Sequence, residues 1–344
     1  MHDQKTAKHT NTKKSKTTGQ ARVARRAVLA AAAVGAIAGL APSAFAQANW
    51  PAKPLRIIVP YTPGGSSDII ARILSPLLSE QLKQTVIVEN KPGASGNMGA
   101  DQTAKANDGY TVMLCDVSAL AISPSLYTKL PFDPSKDLRG VAMLAYSPHM
   151  LVVHPSVPAS NLKELVELSK KSKIDFAVTA MGSAPHLAGY QVASLTGAKW
   201  EYIPYKGGSQ AVTDTIAGQT QVLMNGMLAT LPFVQQNKLK VIGVSKATRV
   251  PLLPNVPTLA EQGATGFESG TWQGILAPAG MPKAHVDKLS AALISIIRSP
   301  DVRARLAAQG AEVNTMNAAE MDTFFNAERK KWAGVVAKSG LKLD

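Results

Sequence analysis

From residue 55 onward, the chain alternates short β-branched, apolar runs with stretches whose apolar residues recur every three to four positions. No other feature limits the fold as strongly. A run of five or six apolar residues must be buried on both faces, and the amphipathic helix that follows covers one of them. Repeated units of this kind build parallel sheets with helices outside. Strands are expected at 55–60 (LRIIVP), 85–89, 111–115, 141–153, 175–179, 201–205, 221–225, 240–245 and 272–277. Helices are expected at 67–82, 96–106, 161–171, 184–196, 209–217, 283–298, 300–309 and 318–338. Two passages, "VAMLAYSPHMLVVHPS" and "FESGTWQGILAPAG", are long enough to leave one sheet and enter another. A chain that crosses twice between lobes places a cleft at the crossings.

The segment before this pattern reads differently. Residues 1–26 are basic and end in Arg25-Arg26, "AVLAAAAVGAIAGLA" follows, and Ala44-Phe45-Ala46 offers an A-x-A cleavage site. This is the layout of a secretory signal peptide over 1–46, too short in its apolar part for a stable span. The arginine pair matches a twin-arginine signal only weakly, so the export route stays open. The leader carries much of the formal charge of +14; beyond it stand 29 basic against 22 acidic residues. That balance, without a run of Lys/Arg interleaved with aromatics, argues against a nucleic-acid partner. Cys115 is the single cysteine, so no intramolecular disulfide supports an exported chain and its core must do so.

Three turns carry the chemistry. "YTPGGSSDIIARIL" puts Gly64, Gly65, Ser66 and Ser67 between a strand and a helix, where backbone N–H groups and hydroxyls converge on an anion. "ENKPGASGNMGAD" repeats the device after the second strand, and "TAMGSAPHLAGYQVA" repeats it with Gly182 and Ser183. Turns at the carboxyl ends of strands meet at the crevice of an α/β fold. A capped strand-to-helix turn with no ligand is the plainer reading of each one alone.

Several chemistries are excluded. No G-x-x-x-x-G-K-[ST] is present, the spacing in "GASGNMG" does not fit a dinucleotide fingerprint, and no G-x-S-x-G occurs. Four histidines lie beyond the leader: His149, His154, His186 and His285. His186, in the first turn of its helix, is read as structural. No H-E-x-x-H or clustered Cys/His spacing points to a metal. Neutral donors without a fixed cation suit a carboxylate that must be released again.

"KPLRIIVPYTPGGSSDIIARIL", "VIVENKPGASGNMGAD", "DGYTVML", "ISPSLYTKLPFDPSKDL", "GSAPHLAG", "PYKGGSQAVTDTIAGQ" and "LLPNVPTLAEQG" together resemble the Bug/TctC family across the whole chain beyond the leader. These are the extracytoplasmic solute receptors of tripartite tricarboxylate transporters. The resemblance implies an α/β, two-lobed periplasmic binding protein of type II, each lobe a mostly parallel sheet flanked by helices, with two crossovers at the hinge. The lobes would comprise 51–150 with 271–344, and 151–270. It implies a periplasmic, monomeric receptor with no catalytic residues, no metal and no cofactor. Its partners would be a small carboxylate and the membrane permease subunits. Family ligands are di- and tricarboxylic acids, aromatic acids, acidic amino acids and some nicotinic compounds.

Carried over by motif, Tyr61, Thr62, Gly64, Gly65, Ser66 and Ser67 would line one wall together with Ala94, Ser95 and Asn97. Ser183 and Ala184 would line the other, with Tyr205 and Asn225 near the floor. Asp68 is expected to cap its helix or hold the loop. Three positions depart from the family pattern. Cys115-Asp116 stands where Ser/Thr is common, Leu120 where His often precedes the "AINP" block, and Asn225 where Asp is common. An ionised Asp116 facing the cleft would disfavour a second ligand anion and favour a non-anionic far end. Two further classes stay open on the residues alone: a ligand sensor feeding a signalling partner, and an α/β enzyme, for which no nucleophile–base pair is seen.

Overall fold

The computed structural model describes residues 50–343, and the expected leader lies outside them. Strands β1 (Leu55–Val59), β2 (Val86–Asn90) and β3 (Thr111–Cys115) are parallel, with β1 in the middle. Helices α1 (Ser66–Leu82) and α2 (Asn97–Ala104) connect them. Every residue of β3 is buried, as the unbroken apolar run "TVMLC" requires of a strand covered on both faces.

A π-helical turn at Ser118–Ile122 and the short helix α3 (Ser123–Leu126) lead to β4 (Leu138–Val153), which belongs to two sheets. Its first part pairs antiparallel with β9 (Gly270–Pro278), from Leu138↔Pro278 to Pro148↔Gly270. From His149↔Gly226 onward it pairs with β7 (Val222–Gly226) and then with β8 (Lys240–Val244). The partner changes between Pro148 and His149, where proline supplies no N–H to a ladder. There the His149 amide donates to the Ser245 hydroxyl, and the imidazole bridges the hydroxyls of Ser269 and Thr271 at 2.9 and 2.8 Å. Both crossings of the chain are therefore tied at one buried histidine.

The second sheet repeats the first. Parallel strands β5 (Asp175–Val178), β6 (Glu201–Pro204) and β7 have β5 in the middle. The surrounding helices are α4 (Leu162–Lys171), α5 (Ala184–Thr196), α6 (Gly208–Ile216) and α7 (Met227–Gln235). The chain returns through β9 to α8 (Lys283–Arg298), α9 (Pro300–Ala307), β10 (Glu312–Met316) and α10 (Ala318–Ser339). A capping box of Asn317 and Glu320 starts α10. Its Met321, Phe325, Trp332 and Val336 close the core over the 118–122 turn. The resulting fold is the expected two-lobed α/β type. The parallel triads match the sequence pattern, whereas the crossing strands join them antiparallel and give the full sheet a mixed character.

Three elements escape the pattern reading. Helix α7, "MLATLPFVQ", holds Pro232 in its interior, and its buried residues Met227 to Leu231 run consecutively, so it shows no polar face. The 118–126 segment is buried on almost all sides and shows no period for the same reason. Strand β10 is a short, partly exposed ribbon paired with β4 in an irregular register.

Candidate functional site

The first turn is built around Asp68, which is 3% exposed. Its carboxylate accepts the Gly64 amide, the Arg72 guanidinium and the Asn90 amide, each at 2.9 Å. Burial alone would raise its pKa, but these hydrogen bonds outweigh it and hold the carboxyl below its usual range. Asp68 thus holds the loop, as expected. Gly64 has φ +84°, which requires glycine; Gly65 has φ −78° and ample space for a methyl group. The backbone conformation therefore demands glycine at Gly64 and not at Gly65. The Ser67 hydroxyl donates to Gln273 at 2.7 Å on the crossing strand, and Ser66 lies against Gly226.

The second turn places Ala94 and Ser95 consecutively in the left-handed region, at φ 46° and 56°. Non-glycine residues there cost of order 1–2 kcal/mol each, and such strain concentrates at functional sites. Next to them Gly96 faces the Tyr61 ring, where a methyl would come within 3.0 Å of the hydroxyl. Asn97 opens α2, is 4% exposed, and leaves both amide atoms without a hydrogen-bond partner among the described residues.

Asp116 is held by two hydrogen bonds from turns of its own sheet. Its Oδ1 accepts the Tyr61 hydroxyl and the Ser118 amide, both at 2.7 Å, so it positions Tyr61 and caps the π-turn. Burial pushes its pKa up, against the opposing hydrogen bonds from Tyr61 and Ser118. Burial and the Asp116 charge push the Tyr61 hydroxyl well up, so it keeps its proton and acts as donor.

On the facing side, Ser183 caps α5, accepting from the His186 amide and from the Thr179 hydroxyl at 3.0 Å. His186 Nδ1 accepts the Gly182 amide at 2.9 Å, and burial lowers its pKa to about 4, which makes it a neutral structural group. Asn225, 5% exposed, donates to Thr230, and its amide flanks Gly208. Tyr205 does not join this group. It packs on the core of Val212 and Leu231, and burial with the nearby Asp214 raises its pKa to about 12. The position correctly ends a strand, but the side chain turns to the far end of the sheet.

The two sets of turns touch. Thr62 and Ser209 hydroxyls are 2.8 Å apart, Ser95 donates to the Met181 carbonyl at 2.6 Å, and the Ala184 amide donates to Ser118 at 3.2 Å. Gly207, Ser209 and Ser118 were not singled out from the sequence. For the first two a signal was present, because "YKGGSQ" is a fourth glycine–serine turn between a strand and a helix. These three contacts use hydroxyls, amides and carbonyls, with no Lys or Arg side chain among them. The groups that meet there are neutral donors and acceptors.

No group of three His, Cys, Asp or Glu side chains among the described residues is arranged to hold a metal. No helix among them is long and apolar enough to cross a membrane. A separate cavity of about 370 Å³ opens beside the crossing strands, lined by Tyr146, Trp272 and Trp332; its Lys246 and Lys331 are each paired with a glutamate.

Residues 70–341 match the model of the tripartite tricarboxylate transporter family receptor, TctC. Among curated relatives, Protein BugT of Bordetella pertussis is 36% identical over 312 residues, covering 90% of this chain and 95% of BugT. The solved structure of periplasmic binding protein BugD superposes with a TM-score of 0.82 at 33% identity, covering 85% of this chain and 99% of BugD. MatC from Rhodopseudomonas palustris, solved with bound malate, gives 0.79 at 27% identity over 83% of this chain and 100% of MatC. With a family match over residues 70–341 and a relative 36% identical across 90% of its length, the chain belongs to the tripartite tricarboxylate transporter receptor family, TctC.

Proposed function

We propose that this protein is a periplasmic solute-binding receptor that captures a small carboxylate between two lobes and delivers it to a tripartite tricarboxylate-type permease. The lobes are assigned as 51–150 with 271–344, and 151–270. The observation that carries the reading is the meeting of glycine–serine turns at the carboxyl ends of strands from both sheets, furnished with neutral donors. A carboxylate held by amides and hydroxyls is bound strongly enough to bias closure, and with no Lys or Arg among the contacts between the turns it can be released. Ligand bound at the turns of both walls favours the closed form over the open one, and closure is the signal a permease can read. MatC, with malate bound, is a family member of the same fold. The residues assigned to ligand contact are Tyr61, Thr62, Gly64, Gly65, Ser66, Ser67, Ala94, Ser95, Asn97, Ser183, Ala184 and Asn225, with Asp116 positioning Tyr61.

A thermal-shift panel of mono-, di- and tricarboxylates, followed by calorimetry on each hit, tests this. A ligand at 100 times its Kd stabilises the native state by about 2.7 kcal/mol, well within detection. A panel in which no carboxylate shifts the midpoint defeats the proposal.

A further inference from the structure

Asn97 is a buried residue that the described residues leave with both side-chain polar atoms unpaired. It is 4% exposed, yet neither its amide nitrogen nor its amide oxygen has a partner among them. A buried polar atom without a partner is costly and uncommon in native proteins, and here two occur on one side chain. The local geometry shows where they lie. Ala100, one helical turn on, is fully buried in the cluster of Ile58, Met113, Cys115 and Tyr61. Residues three apart share a helix face, so Asn97 tops that same face, by the carboxyl ends of β1 and β3. There the Tyr61 hydroxyl meets Asp116, and the preceding Ser95 reaches across to Met181 on the facing wall.

We infer that Asn97 selects the second polar group of the bound carboxylate, and that this group is a neutral donor–acceptor, a carboxamide in its fullest form. The inference rests on the carboxylate-receptor reading and adds the class of ligand to it. A primary amide answers both atoms at once, accepting from Nδ2 and donating to Oδ1 in a paired ring. A carboxylate answers only Nδ2 and sets its negative oxygen against Oδ1. An alkyl group answers neither. A site built to pair with a polar group rejects the analogue lacking it, because its own buried atoms are then left unpaired.

The test is calorimetry on three matched series: succinamate, succinate and butyrate; glutaramate, glutarate and valerate; adipamate, adipate and hexanoate. In at least one series the monoamide should bind tenfold or more tightly than both companions. Asn97→Leu, close in volume and without polar atoms, should bring the three members within about threefold and raise the unliganded melting temperature. Asn97→Asp should weaken the monoamide tenfold or more and provides the same readout if the leucine variant does not fold. Two binding patterns overturn the inference: a dicarboxylate or plain acid binding tightest in every series that binds, or a monoamide preference that survives Asn97→Leu. The second is the behaviour expected if only an ordered water satisfies the amide. Silence from all three series also overturns it, while the broader carboxylate panel still decides the receptor reading separately.

Discussion

Gly207→Ala is expected to impair ligand binding without harming the fold. Gly207 has φ 168°, an extended backbone that any residue adopts, so no local strain demands glycine there. What demands it is Thr62 on the opposite wall. A methyl at Gly207 would fall inside van der Waals contact of Thr62 Oγ1, 3.0 Å from its Cβ and 2.9 Å from its backbone nitrogen. The hydroxyl could rotate away, but the backbone nitrogen could not. Relief therefore requires separating the turns that Thr62 and Ser209 now join at 2.8 Å. Overpacking of this kind costs about 1–3 kcal/mol, and it falls only on the arrangement in which the walls meet. If ligand binds that arrangement, its affinity drops about 5- to 150-fold. Calorimetry with the tightest carboxylate of the panel measures the loss, and small-angle scattering at saturation reports whether the compact form is still reached. Thr62→Gly in the same chain removes the side-chain part of the clash and should restore part of the affinity. Binding by Gly207→Ala within twofold of wild type would refute the argument.

Acid should destabilise the protein through its buried histidines. Burial lowers the pKa of His149 to about 3, whereas the unfolded imidazole titrates near 6.5. Between these values the unfolded chain binds a proton that the folded chain refuses, so stability falls as pH drops from 6.5 toward 3. At pH 5 the loss from His149 is about 2 kcal/mol, and His149→Gln should flatten the profile of denaturant midpoint against pH. Gly64→Ala forces a side chain into φ +84° and should cost about 1–2 kcal/mol in chemical denaturation, while Gly65→Ala should leave stability within about 0.5 kcal/mol. Equal effects would show that the loop does not depend on the left-handed position. Ser183→Ala removes the cap of α5 and should cost about 0.5–2 kcal/mol by the same measurement; a neutral result would mean that the His186 amide finds another acceptor.

The sequence by itself determined the features that are local in the chain. Apolar runs and helical periods place strands β1 to β9 and most helices within a few residues, because burial on one or two faces leaves a repeat of two, of 3.6 or an unbroken run. Glycine–serine turns announced themselves for the same reason, and Asp68, four residues beyond Gly64, could be assigned to its loop. The tertiary structure decided whatever depends on partners distant in sequence. Thr62 and Ser209 lie 147 residues apart, and the Tyr61–Asp116 pair 55. Nothing near either residue specifies those meetings: the first follows from the change of partner in β4 between Pro148 and His149, which aims two sheets at each other, and the second from the parallel pairing of β1 with β3. Segments buried on all sides, such as 118–126 and α7, lose the contrast between faces on which periodicity rests, so only the packed core reveals them. Tyr205 turned to the far end of its sheet because the core beside Val212 accepts a ring, a preference its place at a strand end does not encode. The unpaired amide of Asn97 is of the same kind: its sequence neighbours explain a helix start, and only the surrounding fold shows that none of the described residues completes it.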